Sequence, residues 1–552
     1  MPSISYYIKA VRRRWAHQKA NRRLQTMALR VKEHAPSSEG MAPVVFFNAS
    51  SRLENTSQNA AFSQLASWGL RLSGTPVVHL VCGAGMTRCV LGTNRDDPSQ
   101  EPPCRRCIAQ SVRTYSGAKA EWCIYQTDED LEAALESLSL DEMVAFEYKG
   151  LPLGELVLSS LRWTLRRHHL LDDEATRSLC CDFLRSAWSI AQKFTAMLDK
   201  YKPQAVVVFN GMFFPEATVR YLAQQRGIRV VSHEVGFRPL SGFFTTGQAT
   251  ASPIDLPADF VLNEARNVEL DAYLAQRFKG NFQMAGVRFW PEMNGMPPEF
   301  WEKARAFKQV VPVFTNVVFD TSQTHANVIF PHMFAWLDSV LEAVKAHPET
   351  LFVLRAHPDE NRPGKESRES VAQWVARNQV EQLPNVYYLD ADQYIDSYEL
   401  IRGSKFTMVY NSTIGLEAAI LGSTVLCGGA SRFTDDEIAI LPESEDAFDA
   451  KLKALLDAEM VETPAVFKEN ARRFFYYQVF HRALPFGEFL EEDQYWKGYV
   501  QLTNFGWPKL QPENSVTMQV IVNGILEDEA FAMPLKGEKQ GALVTHQNID
   551  RS

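Results

Sequence analysis

The chain has 552 residues, 45% hydrophobic and 22% charged, a balance ordinary for globular proteins that work in water. A net charge of −9 argues against general nucleic-acid binding, and no apolar run approaches the roughly 18 residues of a membrane span. The charged N-terminus has no apolar stretch behind it, so no secretory leader is expected; two large α/β domains with extensions, in the cytoplasm, fit the length.

Residues 1–32 carry Lys9, Arg12, Arg13, Arg14, Lys19, Arg22, Arg23, Arg30 and Lys32 without one Asp or Glu, interspersed with Trp15, Leu24 and Met27. Such a helix suits either an anionic membrane surface, where it would hold the protein peripherally on the inner face of the cell membrane, or a solvated basic tail. Residues 34–43 read as a linker, so 1–42 form a basic leader to the body.

Residues 43–48 open the first α/β unit, with Ser50 and Ser51 at its strand end, and residues 76–81 form a second strand. Four of the eight cysteines follow, Cys82, Cys89, Cys104 and Cys107, spaced C-x6-C-x14-C-x2-C among Gly83, Gly85, Gly92, Pro102 and Pro103. In a reducing compartment this insertion (82–107) suggests a structural metal held by thiolates, zinc first and an iron–sulfur cluster second, or else four thiols without a metal. Cys123, Cys180, Cys181 and Cys427 read as ordinary buried thiols.

The apolar run 205–209 enters Asn210-Gly211, and the run 227–231 enters Ser232-His233-Glu234-Val235-Gly236. Asn210 and His233 thus stand at strand ends facing an acceptor side, and Glu234 (or His233) is the candidate general base. A helix cap or interdomain salt bridge suits Glu234 equally well. Short strands are expected at 258–263 and 286–289 as the chain crosses to a second domain.

Residues 309–314 form a strand opening into Thr315-Asn316 and later Asp320, before a helix at 334–346. Residues 351–354 then run into Arg355-Ala356-His357-Pro358-Asp359-Glu360, which gathers a cation, an imidazole and carboxylates at a strand's carboxyl end. Arg355 and His357 suit a phosphate, and a protonated His357 would assist a leaving group. The run 406–409 leads into Tyr410-Asn411-Ser412-Thr413-Ile414-Gly415-Leu416-Glu417. Hydroxyls there would meet a helix N-terminus, which attracts phosphate, and Glu417 one turn on would accept from ribose hydroxyls. An ordinary Ser/Thr cap with a surface Glu is the plainer alternative.

These segments, with Trp336-Leu337 and Ile395-Asp396-Ser397-Tyr398, resemble the bacterial capsule polysaccharide biosynthesis family, GT-B-type glycosyltransferases related to capsule Kdo transferases. The resemblance covers roughly residues 200 to 490. It implies a GT-B-like α/β fold: two Rossmann-like domains facing a cleft, an N-terminal acceptor domain (43–285) with the Cys-containing insertion and a nucleotide-sugar domain (286–490). Thr315, Asn316, Arg355, His357, Glu360, Asn411, Ser412, Thr413 and Glu417 would hold the donor, with Glu234 and His357 catalytic. It further implies transfer of a sugar, often acidic and cytidine-linked, to a growing surface glycan or its lipid-linked acceptor, with no catalytic cofactor. No Asp-x-Asp dyad is found where a metal-dependent GT-A enzyme needs one. The chain departs from the pattern at residues 430–434, where a longer basic loop is expected.

A polyol-phosphate polymerase, a sugar-nucleotide epimerase and a non-catalytic glycan-binding scaffold are the alternatives. The aromatic, basic stretch 467–489 should pack back across both domains. Beyond it lies an extension (491–552) whose end, past about 536, should be disordered.

Overall fold

The computed structural model describes residues 4–38, 40–48, 55–250, 254–281, 283–284, 287–288 and 293–535. The expectations for Ser50, Ser51 and the chain past 536 lie outside them.

The first sheet contains β1 (Val44–Phe47), β2 (Val77–Cys82), β3 (Lys119–Cys123), β4 (Ala205–Phe209), β5 (Arg229–Val235) and β6 (Ser241–Thr246). The second contains β7 (Gln309–Phe314), β8 (Thr350–Arg355), β9 (Val386–Leu389), β10 (Thr407–Val409) and β11 (Val425–Cys427). β12 (Leu484–Pro485) returns to the first, whose order is β12-β6-β5-β4-β1-β2-β3; the second runs β9-β8-β7-β10-β11. Strands β5, β4, β1, β2 and β3 of the first sheet and all five of the second are parallel, while β6 and β12 add antiparallel pairs at one edge. Each sheet therefore reverses direction beside its first strand, between β1 and β4 and between β7 and β10. That switch point is where open α/β sheets leave a crevice.

The apolar runs are buried on both faces, as parallel strands require. In β1, Val45 and Phe47 face the helices Leu153–Leu165, Glu174–Tyr201 and Phe214–Gln225, while Val44 and Phe46 face Gln58–Leu72 and Val516–Leu526. In β7, Val311 and Val313 face the helix Met333–Ala346, whereas Val310 and Phe314 face the layer of Glu264–Arg277, Ile414–Ile420 and Ala465–Tyr476. Period-two alternation thus builds four apolar layers around two sheets.

Several boundaries differ from the sequence expectations. Residues 258–263 form no strand: Phe260 is buried among Tyr476, Tyr477 and His481, and Asn263 Oδ1 caps the next helix by accepting from Arg266 N–H at 3.0 Å. That helix packs in the second core, so the crossing precedes residue 285. Of the expected strand 286–289, Val287–Arg288 pairs with Gln283–Met284. The aromatic helix does cross back, and the extension after Leu484 packs into the first domain through Leu490, Met518 and Ile521. The N-terminal helix Ile4–His34 joins the same core through Leu24, Met27, Ala28 and Val31, leaving Val11 and Trp15 exposed. The domains also meet where His169 Nε2 lies 3.3 Å from His332 Nε2, with Glu369 Oε1 2.6 Å from His169 Nδ1.

Candidate functional site

The carboxyl ends of both sheets face one cavity of about 540 Å³, within the range of small-molecule sites. The second domain contributes three strand ends. Thr315 and Asn316 follow β7, Arg355 ends β8 with His357 beyond it, and Asn411, Ser412 and Thr413 follow β10. Asn316 Nδ2 donates to Asn411 Oδ1, and Gln323 Nε2 donates to the same oxygen at 3.2 Å, closing the β7/β10 switch point. Thr315 Oγ1 is committed to the Arg355 carbonyl at 3.0 Å, so its hydroxyl positions the β8 end.

Arg355 is buried and donates through Nη1 to the Asp390 carbonyl at 2.5 Å; burial holds its guanidinium down to about 10, below which the charge persists. His357 Nδ1 accepts the Asp359 N–H at 3.1 Å, which leaves Nε2 as the protonated nitrogen of the neutral ring. Burial lowers the His357 pKa, opposed by Asp359 and reinforced by Arg355. At neutral pH this imidazole is a neutral Nε2–H donor, so the protonated His357 expected from sequence is not the resting form.

Across the cavity stands Glu234, at the end of β5. Its Oε1 accepts from Asn59 Nδ2 at 2.7 Å and Val235 N–H at 2.8 Å, and its Oε2 from Asn210 Nδ2 at 3.0 Å. Asn210 is not itself on the cavity wall; it has a positive φ of 58°, which Asn tolerates, and it orients Glu234. His233 points to the other face of β5, fully buried against Phe244 with Nδ1 3.3 Å from Asn59 Oδ1. The pleat that brings Glu234 to the cavity turns His233 away from it.

Two donor-side expectations change. Glu360 does not line the cavity: it is buried behind it, where both carboxylate oxygens lie 3.2 Å from the Val371 N–H. Burial pushes this carboxyl up to about 8. Glu417 does line the cavity, but its oxygens are engaged. Arg277 reaches Oε1 from Nη2 at 2.6 Å and from Nε at 2.7 Å, and the Tyr398 hydroxyl donates to Oε2. A carboxylate so occupied shapes the cavity floor.

Sequence reasoning missed Asn59 and Arg277, whose signals lie far from any strand-end motif, and gave Tyr398, quoted within the resemblance, no role of its own. It also passed over Arg432, in the loop after Gly429. That loop closes on itself, with Thr434 Oγ1 accepting from Ser431 N–H at 3.2 Å and donating to the Ser431 carbonyl at 2.8 Å. It nevertheless lines the cavity. Arg432 stacks 4.4 Å from the Phe243 ring, donates to the Ala249 carbonyl, and is held down to about 10 by burial and by Arg482, with Glu234 opposing. It is a cation joining the two domains at the cavity.

Residues 301–460 match the family described as "Capsule polysaccharide biosynthesis protein", and over this segment the resemblance read from the sequence is borne out. Protein FixF of Sinorhizobium fredii (strain NBRC 101917 / NGR234) is 26% identical over 243 residues, 43% of this chain and half of that protein's length. Among solved structures, the beta Kdo 2,4 transferase of Thermosulfurimonas dismutans KpsC is 12% identical (TM-score 0.32), covering 50% of this chain and 80% of that one. A Neisseria meningitidis UDP-GlcNAc 2-epimerase bound to UDP-GlcNAc is also 12% identical (TM-score 0.23), covering 79% and 98%.

Proposed function

We propose that this chain, whose residues 301–460 match a capsule polysaccharide biosynthesis family, is a glycosyltransferase moving a sugar from a nucleotide donor to a growing surface polysaccharide or its lipid-linked acceptor. One observation carries the reading. Glu234, fixed by three donors at the end of β5, lines the same cavity as Arg355 and His357 from the end of β8 and Arg432 from the loop after Gly429.

In this reading the donor phosphate lies at the second domain, beside Arg355, the His357 Nε2–H, Ser412 and Thr413. Glu234 takes the proton of the acceptor hydroxyl as its oxygen attacks the anomeric carbon. The bond from that carbon to the phosphate oxygen breaks, and the phosphate leaves with its electron pair. Arg355, Arg432 and His357 stabilise the charge that develops there, the kind of preorganised electrostatics that dominates such catalysis. The transfer step is proposed to be metal-independent, because fixed cations supply this stabilisation. Residues 11–15 of the first helix, exposed and including Arg12, Arg13, Arg14 and Trp15, would hold the enzyme near a lipid-linked acceptor on the inner membrane face.

The test is thermal-shift binding with CMP, CDP, UDP, GDP and ADP, followed by turnover of the stabilising nucleotide's sugar derivatives with and without acceptor glycan. Stabilisation by one nucleotide, weakened in His357→Ala, together with acceptor-dependent release of that nucleotide supports a transferase. Acceptor-independent conversion of the donor would instead indicate an epimerase, and no binding across the panel would favour a glycan-binding scaffold.

A further inference from the structure

Away from the cavity, the two domains meet at three imidazoles. His168 and His169 lie in the loop between the helices Leu153–Leu165 and Glu174–Tyr201 of the first domain, and His332 caps the helix Met333–Ala346 of the second. Each offers a metal-capable ring nitrogen, and these three atoms all lie within 4.8 Å of one another. The ring centroids stand 4.6 to 4.9 Å apart, and the planes of His169 and His332 meet at 85°. None of the three lines the cavity.

The pair that joins the domains has the spacing of metal ligands. His169 Nε2 lies 3.3 Å from His332 Nε2. Two nitrogens on one tetrahedral zinc, with Zn–N bonds of about 2.0–2.1 Å, are held roughly 3.3 Å apart. Glu369, from the second domain, arranges the ligands of the first. Its Oε1 is 2.6 Å from His169 Nδ1, and its Oε2 accepts the His168 and His169 N–H groups, both at 2.9 Å. A carboxylate on Nδ1 keeps the hydrogen there and leaves the Nε2 lone pair facing His332, the arrangement that orients metal-bound histidines. The loop is held further by Arg162 Nε, which donates to the His168 carbonyl at 3.0 Å, and by the Arg368 N–H, which donates to the Arg166 carbonyl at 2.8 Å. Without a metal, a proton on His332 Nε2 bridges the pair, because His332 Nδ1 accepts the Ala335 N–H at 3.0 Å. A metal would take that proton's place; His332 would then carry its hydrogen on Nδ1 and release the Ala335 cap.

We propose that His168, His169 and His332 bind a divalent transition metal of the zinc class, which clamps the two domains together with Glu369 as its outer carboxylate. Imidazoles favour such ions over magnesium and calcium, which prefer oxygen. Three protein nitrogens leave a fourth position for water. Because the ligands come from both domains, the metal would limit how far the domains separate. It stands outside the cavity and takes no part in the transfer step, so this inference does not rest on the transferase reading.

The test uses the full chain without a histidine tag, stripped by chelator and titrated with zinc(II) or cobalt(II) ions. Cobalt should give the visible bands of a nitrogen-bound ion, without the near-ultraviolet charge transfer that thiolate ligands add. Glu369→Gln should weaken binding by about 10–100-fold, and His332→Asn, which keeps a capping side chain for the helix, by more. Zinc should also slow hydrogen exchange in residues 166–169 and 366–369 together, as a clamp between domains requires. No bound ion would overturn the proposal, as would binding that His332→Asn leaves intact. A bound ion whose spectrum shows only thiolate ligation, or protection confined to one domain, would overturn it equally. If His332→Asn does not fold, Glu369→Gln decides in its place.

Discussion

Arg277 and Glu417, 140 residues apart in the chain, form a buried two-pronged ion pair at the cavity floor, with Nη2 and Nε at 2.6 and 2.7 Å from Oε1. Both side chains are at most 4% exposed, so neither charge has water to fall back on. Removing one partner strands the other. Glu417→Gln should destabilise the chain by about 3–5 kcal/mol, and Arg277→Met by a similar amount. The double variant should lose clearly less than the sum of the two, as read from urea midpoints in a double-mutant cycle. Additive losses would mean that the pair is not coupled.

Among the described residues, Glu234 is held by Asn59, Asn210 and Val235 rather than by a cation within bonding distance. As a general base it should be dispensable for donor binding and needed for turnover. Glu234→Gln should lower kcat by about 10²–10⁴-fold while nucleotide affinity stays within twofold. Asn59→Ala, which removes one of the two donors to Glu234 Oε1, should lower kcat less and leave the donor KM unchanged. A Glu234→Gln enzyme of full activity would remove Glu234 from the mechanism.

Two buried groups give stability opposite pH slopes. The Glu360 carboxyl, raised to about 8 by burial, keeps its proton in the fold across a range where the unfolded chain, with a pKa near 4.5, has lost it. Its contribution is full below 4.5 and is lost as pH rises through 8. Glu360→Gln, which keeps an acceptor for Val371 N–H, should therefore gain on the wild type by about 1.4 kcal/mol per pH unit between 5 and 8.

His233, lowered to about 3 by burial, stays neutral where the unfolded chain, with a pKa near 6.5, takes up a proton. The fold thus loses stability as pH falls from 6.5 towards 3, and His233→Gln should flatten that acid limb. Denaturation midpoints at pH 4, 5, 6.5 and 8 test both slopes. A wild type and Glu360→Gln that run parallel from pH 5 to 8 would contradict the first.

Gly428 leaves β11 directly beneath Trp336, where an added Cβ would lie 2.4 Å from the indole Cδ1. The large, fully buried Trp336 cannot retreat. Gly428→Ala should cost about 1–3 kcal/mol and lower the melting temperature, whereas Gly364→Ala, at a loop glycine with open space but a φ of +76°, should cost about 1. Differential scanning calorimetry decides between them; equal losses would contradict the crowding argument.

Much of the cavity was legible in the sequence because each half of it is a local event. An apolar run ends, and polar residues follow at a strand's carboxyl end; so Thr315, Asn316, Arg355, His357, Asn411, Ser412, Thr413 and Glu234 were found at the sites where the cavity lies. The expected strand at 258–263 failed because an apolar run of that length also suits a buried turn. Glu360 failed because the residues after Pro358 form a short 3-10 turn that carries its side chain inward. The loop at 430–434 looked merely short, yet its Arg432 bridges the domains.

The sequence by itself determined the α/β class, the strand ends and the residue types gathered there, because those depend on neighbours within a few positions. Only the tertiary structure decided which side chains reach the cavity and which are spoken for. Glu234 and His233 are adjacent in sequence and opposed in space by the pleat of β5. Glu417 is neutralised by a residue from the helix Glu264–Arg277, and Cys123 is brought beside Cys82 by strand register. Such pairings are set by how elements far apart in the chain pack together, and packing of that range leaves no local pattern to read.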